Sequence, residues 1–250
     1  MNLSPIKTNK ILPKQSNIFA VLDKYLLSLE DGSILAITSK IVSICEGNVA
    51  RSGEIAKEEL VKSEANLYLP PTSNKYEYSL TIKNGILVPA SGIDESNSNG
   101  HYVLWPKDPQ KSANEIREYL IKRFGLKKVG IIITDSKTTP LRWGTTGVCI
   151  AHSGFKALNN YIGEPDIFGA KMQVTKANVA DALATSAVLV MGEGREQTPI
   201  ALISDVPFVK FQKNNPTKKE LDDLKIDIED DLYAPILKSV KWQQKDKKDK

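Results

Sequence analysis

Three apolar runs in this 250-residue chain each lead into a small or polar residue and then an acid. Ile86–Ala90 runs into Ser91-Gly92-Ile93-Asp94-Glu95-Ser96-Asn97, Val129–Thr134 into Asp135-Ser136, and Ala187–Met191 into Gly192-Glu193-Gly194. Strand and helix ends are where a scaffold presents side chains to a cleft, and carboxylates converging there need a cation to offset their repulsion. Mg²⁺ or Mn²⁺ with a phosphate-bearing substrate is the chemistry such a set serves. Acids at element ends also simply face water, and spacing alone favours that plainer reading. Ser39-Lys40, after the apolar run Ile34–Thr38, offers a hydroxyl and an ammonium to a phosphate, or forms an ordinary solvated turn. Thr138–Gly147 is turn-prone and holds Arg142, which suits either an anion-binding loop or a structural turn.

Other chemistries find little to work with. There is no G-x-x-x-x-G-K-[ST] motif, and Gly192-x-Gly194 lacks the third glycine of a dinucleotide fingerprint. With only His101 and His152, a multi-histidine zinc centre is excluded, so a metal here is a hard ion held by oxygen. Two cysteines, Cys45 and Cys149, without C-x-x-C spacing, make no disulfide framework and fit a reducing, cytoplasmic setting. Neither is assigned a catalytic role.

The elements that must position these residues are read from periodicity. Ser16–Glu30 has helical spacing with Ser16 placed to cap, and Ile34–Thr38 is too short and uniformly apolar for a surface helix and reads as a buried strand. Ser52–Glu64 reads as a helix and Leu67–Asn74, with Pro70-Pro71, as a loop. Asn84-Gly85 supplies the two positive-φ positions of a type I′ turn, so Tyr78–Ile82 and Ile86–Ala90 pair as a hairpin. Ser112-Ala113-Asn114-Glu115 matches a capping box for a helix that ends at Gly125. Val129–Thr134 and Ile200–Ile203 are strands, and Thr175–Val190 is an alanine-rich helix. Thr217-Lys218-Lys219-Glu220 is a second capping box, and Leu232–Val240 an extended patch. Strands and helices mix without steady βαβ alternation, which gives an α+β fold class.

Length allows one large domain or two intertwined small ones, and 41% apolar with 26% charged residues is globular. No apolar stretch approaches the ~20 residues that span a bilayer, and no secretory leader is recognisable, so neither membrane nor secretion is expected. The net charge of +4 is carried by Lys238–Lys250, which holds six Lys and two Asp and reads as a solvated, frayed tail; the remaining body is balanced. A basic groove for nucleic acid is therefore not expected.

At these same residues the sequence resembles the coenzyme F-420-0 gamma-glutamyl ligase family, which extends a glutamate tail on a deazaflavin cofactor. The resemblance runs from about Ile34 to Ile203. It is carried by Thr38-Ser39-Lys40-Ile41-Val42-Ser43 with Glu46-Gly47, by Gly92-Ile93-Asp94-Glu95-Ser96-Asn97, and by Ile133-Thr134-Asp135-Ser136 with Pro140 and Arg142. Tyr161-Ile162-Gly163-Glu164-Pro165-Asp166 and Val190-Met191-Gly192-Glu193 complete it. The family implies two intertwined lobes of mixed, largely antiparallel sheet and an intertwined homodimer. On that pattern, residues 1–210 form the ligase unit, with lobes at about 1–75 plus 176–210 and 76–175, and 211–250 is a charged C-terminal segment.

Carried over by position, the resemblance implies a nucleotide site, for GTP or ATP, at Ser39, Lys40, Asn97, Met191, Gly192, Glu193, Gly194, Arg195, Glu196, Gln197 and Thr198. Two Mg²⁺ or Mn²⁺ ions sit between Asp94, Asp135, Ser136 and Glu193, and a further nucleotide contact falls near Asn9–Leu12. Asp94, Asp135, Lys40 and Arg142 are the catalytic candidates. The implied reaction is ligation of L-glutamate to the acceptor through an acyl phosphate. After Asp135 the deazaflavin enzymes usually read Thr-Phe-Gly-Arg-Pro-Trp-Arg, whereas this chain has Ser136-Lys137-Thr138-Thr139-Pro140-Leu141-Arg142, and Ile44 stands where a basic residue is common. This version is similar to the bacterial subgroup thought to act in folate metabolism, so the implied acceptor is folate or the deazaflavin. The competing expectation is a nucleotide- or pterin-binding protein without turnover; a third is an interaction protein using the C-terminal segment.

Overall fold

In the computed structural model, which describes residues 1–13 and 15–245, the run from Ser33 to Ile37 is fully buried. The reason is that its alternate side chains enter two different cores. Leu35 and Ile37 join Ile131, Ile133 and Ile200 on one face of a sheet. Ile34 and Ala36 join Ile132, Ala201 and Ile203 on the other.

In chain order the elements are β1 (Asn2–Ile6), α1 (Ile18–Tyr25), β2 (Ser33–Thr38), α2 (Ser39–Glu46), β3 (Val49–Arg51), α3 (Lys57–Glu64), β4 (Leu67–Leu69), β5 (Leu80–Lys83), β6 (Ile86–Pro89) and β7 (His101–Val103). There follow α4 (Pro109–Phe124), β8 (Val129–Thr138), β9 (Thr145–Ser153), β10 (Leu158–Asn160), β11 (Lys176–Asn178), α5 (Val179–Met191), β12 (Ile200–Ser204), α6 (Lys218–Asp222) and α7 (Ala234–Leu237). The central sheet has the order β1-β12-β2-β8-β9. Only β2 and β8 run parallel; the other neighbours are antiparallel. Helices α1, α2 and α4 contribute to the core on one face, α5 to the core on the other. Helix α5 lies so close to β9 that a Cβ on Gly147 would stand 2.5 Å from the Ala184 carbonyl oxygen.

Register decides where the ends meet. Thr38 pairs with Thr134, so parallel β2 and β8 finish together and deliver Ser39-Lys40 and Asp135-Ser136 side by side. Ile200 faces both Ile37 and Ile6, so the loop entering β12 and the segment leaving β1 reach that same edge. Residues 49–103 build a smaller unit beside it, with sheets β4-β5-β6 and β3-β7 and helix α3. There the hairpin turn is as expected, with Asn84 at φ 52° and Gly85 at φ 80°. A 3-10 turn at Ala90–Gly92 then swings the chain into the first acidic motif.

The α+β class and its mixed, mostly antiparallel sheets hold, while individual boundaries differ. Helix α1 is capped by Asn17, not Ser16, and stops at Tyr25. Ser39-Lys40 is not a turn but the start of α2. Helix α3 begins at Lys57 rather than Ser52, and Leu67–Leu69, expected as loop, is strand β4 because it can pair with β5. Helix α4 starts from Asp108 with Pro109 in its first turn, and the Ser112 hydroxyl donates to Glu46 Oε1 at 2.6 Å rather than capping. Helix α5 is capped by Asn178, since Lys176–Asn178 is taken by β11. The Thr217 capping box is present. Residues 234–237, within the expected extended patch, are helix α7.

The C-terminal stretch is not frayed as far as it is described. Arg117, 3% exposed, donates to the carbonyls of Gln212 and Lys213 at 3.0 and 2.8 Å and to Asn215 Oδ1 at 3.0 Å. Further on, Gln243 and Tyr68 exchange two backbone hydrogen bonds of 2.9 Å. Residues 246–250 of the expected tail lie outside the described residues. Among those described, no helix is long and apolar enough to cross a membrane.

Candidate functional site

A cleft of about 1000 Å³ opens at the sheet edge where β2 and β8 end. Five segments line it: Thr8–Leu12 after β1, Thr38–Ile41 at the start of α2, Gly92–Asn97 from the smaller unit, Thr134–Thr138 of β8, and Met191–Pro199 between α5 and β12. Ser39 is the exception in its segment, being 5% exposed and absent from the lining. Because α2 starts here, its first-turn N–H groups lack intrahelical partners and give this wall a positive partial charge.

Lys40 spans the cleft from α2 to the smaller unit. Its ammonium pairs with Asp94 Oδ2 at 2.5 Å and donates to the Ser96 carbonyl oxygen at 2.9 Å. Asp94 Oδ1 accepts from the Ser96 N–H at 2.7 Å. Burial pushes the Asp94 carboxyl up, but Lys40 and the Ser96 N–H outweigh it, so the group is held below its usual range. Asp135 is treated differently. Desolvation raises it to about 6 against hydrogen bonds from the Trp105 indole and the Ser136 N–H; the Asp94 charge adds to the rise and Lys40 opposes it.

Across the cleft, the Ser136 hydroxyl donates to Glu193 Oε1 at 2.6 Å. The loop after α5 holds itself in shape: Glu196 accepts from the Gly194 N–H at 2.8 Å, and the Thr198 hydroxyl donates to the Met191 carbonyl. Asn97 Nδ2 reaches over to the Gly194 carbonyl oxygen at 2.9 Å, and the Thr8 N–H to that of Gln197 at 2.8 Å.

Of the residues singled out from sequence, Lys40, Asp94, Asn97, Asp135, Ser136 and the whole of Met191–Thr198 are brought to one cleft. Asn9–Leu12 also lines it. Arg142 does not; it is exposed in the turn between β8 and β9, whose strands extend further into the expected loop than the sequence indicates. Among the described residues, no three His, Cys, Asp or Glu side chains gather at one point. The expected metal ligands instead form two oxygen pairs, Asp94 beside Asp135 and Ser136 with Glu193. Hard oxygen donors and a carboxyl raised by desolvation, with no cation in contact with it, fit a divalent cation of the Mg²⁺ or Mn²⁺ type. Cys149 is buried with its thiol raised, and burial pushes the half-buried Cys45 thiol up to about 11, so neither is an activated nucleophile.

A family model described as F420-0:Gamma-glutamyl ligase matches residues 5–205, which include all five lining segments. The chain belongs to that family. Among the relatives of this gamma-glutamyl ligase family member, a protein of Methanococcus maripaludis is 35% identical over 80% of this chain and 85% of its own length. One from Methanocaldococcus jannaschii is 32% identical over 78% and 84%, and one from Archaeoglobus fulgidus 33% over 77% and 83%. Each is named coenzyme F420:L-glutamate ligase. Sequence reasoning missed two features of this ligase-family cleft. Trp105, which holds Asp135, stands in Leu104-Trp105-Pro106, where only its burial could be guessed. Lys57, on the cleft wall and paired with Glu95 at 3.3 Å, looks like any helix-surface lysine.

Proposed function

We propose that this protein is a ligase that adds L-glutamate through an amide bond to a carboxylate-ended cofactor, coenzyme F420 or folate, at the cost of a nucleoside triphosphate. The observation that carries the reading is the single cleft on which Lys40, Asp94, Asp135, Ser136 and Glu193 meet, in a chain whose relatives bear that ligase name. Its volume is at the upper end of small-molecule pockets, enough for more than one substrate.

In the proposed reaction, a terminal carboxylate oxygen of the acceptor attacks the γ-phosphorus of GTP or ATP, and the nucleoside diphosphate leaves. The amine of L-glutamate then attacks the acyl carbon; phosphate leaves, the amine loses a proton and the amide is formed. The α2 N-terminus and Lys40 hold anionic phosphate oxygens, and the Met191–Thr198 loop with Asn97 forms the nucleotide wall. Asp94, Asp135, Ser136 and Glu193 would hold two Mg²⁺ or Mn²⁺ ions. When bound, these neutralise charge on the triphosphate and on the transferring phosphoryl group.

The reading extends to the assembly. Ile167 and Phe168, between β10 and β11, are 92% and 89% exposed, and Leu141 and Trp143, in the β8–β9 turn, 103% and 90%. Apolar side chains at two projecting turns suit burial against a second copy, so we take the working form as a homodimer. Residues 1–210 are its ligase unit, and a cytoplasmic enzyme fits two free cysteines.

The test is to incubate purified protein with Mg²⁺, L-glutamate, GTP or ATP, and either the deazaflavin acceptor or folate monoglutamate. A glutamyl mass increment on one acceptor, lost on chelation with EDTA, is expected. No increment on either acceptor while nucleotide still binds would replace the ligase by a nucleotide-binding protein.

A further inference from the structure

Trp105 belongs to none of the motifs that built the site, yet it is 2% exposed and directs its polar atom into it. Its indole Nε1–H donates to Asp135 Oδ2. Its carbonyl oxygen accepts from Asn48 Nδ2 at 2.6 Å, which anchors its backbone. Lys83 Nζ stands 4.8 Å from the centroid of the Trp105 ring, and is itself 6% exposed and paired with Glu64 Oε2 at 2.7 Å. Gly92 closes the remaining side. A Cβ there would lie 2.1 Å from Trp105 Nε1 and 2.8 Å from Asp135 Oδ2, so the first acidic motif is in contact with the indole–carboxylate bond.

An indole N–H is a donor only: it cannot take a proton from Asp135 or ligate a cation. What it does to a carboxylate is fix the direction of one oxygen. A buried ammonium over the ring face attracts the ring's negative quadrupole and limits its rotation. The run Glu64, Lys83, Trp105, Asp135 thus ties the smaller unit to the end of β8.

We propose that Trp105 is a positioning residue for Asp135, with Lys83 as the strut behind it. By occupying Oδ2 it reserves Oδ1 for whatever binds in the cleft, which on the ligase reading above is a divalent cation. The metal part rests on that reading; the positioning part does not.

The full chain has three tryptophans, Trp105, Trp143 and Trp242, whose indole N–H resonances are assigned one by one with Trp→Phe variants of ¹⁵N-labelled protein. The expected result is a Trp105 resonance that exchanges slowly in D₂O and shifts in Asp135→Asn, while that of exposed Trp143 stays in place. In parallel, Mn²⁺ affinity is measured by electron paramagnetic resonance in the presence of GTP. Trp105→Phe keeps an aromatic face under Lys83 while removing the N–H together with part of the ring volume; it is expected to weaken Mn²⁺ binding by about tenfold or more. Its kcat falls, KM for glutamate is unchanged, and excess Mn²⁺ restores turnover.

A Trp105 resonance unmoved by Asp135→Asn overturns the proposal, and so does a folded Trp105→Phe protein with wild-type Mn²⁺ affinity where Asp135→Asn has lost it. Wild-type Mn²⁺ affinity in Asp135→Asn instead overturns the metal reading alone. If Trp105→Phe does not fold, Trp143→Phe and Trp242→Phe assign the resonance by elimination and the Asp135→Asn comparison still decides.

Discussion

Gly92→Ala and Gly32→Ala are chemically the same change at two positive-φ glycines, and the structure separates their costs. Gly32 has φ +85° and nothing within 4 Å of an added Cβ, at the end of β2 remote from the cleft. The only penalty there is an L-residue in left-handed space, about 1–2 kcal/mol. Gly92 has φ +69° and pays the same backbone penalty, but its Cβ would also stand 2.1 Å from Trp105 Nε1, 2.5 Å from Cε2 and 2.8 Å from Asp135 Oδ2. Trp105 is buried with Lys83 over its ring, so the clash is relieved by strain, worth about 1–3 kcal/mol more. Urea unfolding at constant pH should place Gly92→Ala below Gly32→Ala by that difference, or roughly 2–12 °C in Tm for a chain of this size. Because the displaced groups are Trp105 and Asp135, ligase kcat should fall by about a hundredfold in Gly92→Ala and stay near wild type in Gly32→Ala. Equal stabilities for the two variants, or full turnover in Gly92→Ala, would refute the reasoning.

His152 is 1% exposed and desolvation depresses it to about 4, with nearby Glu220 acting in the opposite direction. Since the unfolded chain takes up this proton first, His152 contributes stability that is complete above about pH 6.5. That contribution is lost as pH falls through about 4, at most about 3 kcal/mol in all; urea midpoints should drop across this window in wild type and less in His152→Gln. Arg117→Met leaves four acceptors without their buried donor, which should cost about 3 kcal/mol and open residues 206–245 to limited proteolysis; an unchanged digest and urea midpoint would count against a docking role. Arg142 is exposed and lines no part of the cleft, so on the homodimer proposed above a catalytic role would come from the second copy. Mixing inactive Arg142→Ala with inactive Asp135→Asn under subunit exchange should then restore about a quarter of the activity, and no recovery would confine Arg142 to a structural turn.

What was legible in the sequence was the local periodicity and the order of the acids. The strands at 33–38, 129–138 and 200–204 are readable because their apolar runs are too short for helices, and the Asn84-Gly85 turn because Asn and Gly are the residue types that favour two positive φ values. Caps were less legible wherever two signals competed. Ser112-x-x-Glu115 fits a capping box, but Asp108 followed by Pro109 starts the helix one turn earlier and leaves Ser112 to bond Glu46. Helix α2 was hidden because Ile41, Val42 and Ile44 follow directly on an apolar strand with no break in hydrophobicity. Trp105 was invisible as a site residue, since its tie to Asp135 is a contact across 30 positions that no spacing encodes.

The two central acids differ in a way that composition does not show. Asp94 already has its counter-charge, in Lys40 at 2.5 Å, and sits low. Asp135 has only dipoles for partners, the Trp105 indole and the Ser136 N–H, and sits high because the protein desolvates it without neutralising it. A positive charge brought into the cleft therefore gains most beside Asp135, and gains least where Lys40 already stands. The geometry reinforces this asymmetry: Asp94, bridged to Val103 of β7, turns its carboxylate to the Lys40 ammonium, while Asp135 extends from a buried strand and is held from behind by an indole locked under Lys83. One carboxylate thus already has an ammonium beside it, the other has none in contact, and it is the latter that lies next to Ser136 and, through it, Glu193. Fixed direction and unmet charge on the same residue are the conditions under which a carboxylate orients a cationic or phosphoryl-bearing occupant rather than following it.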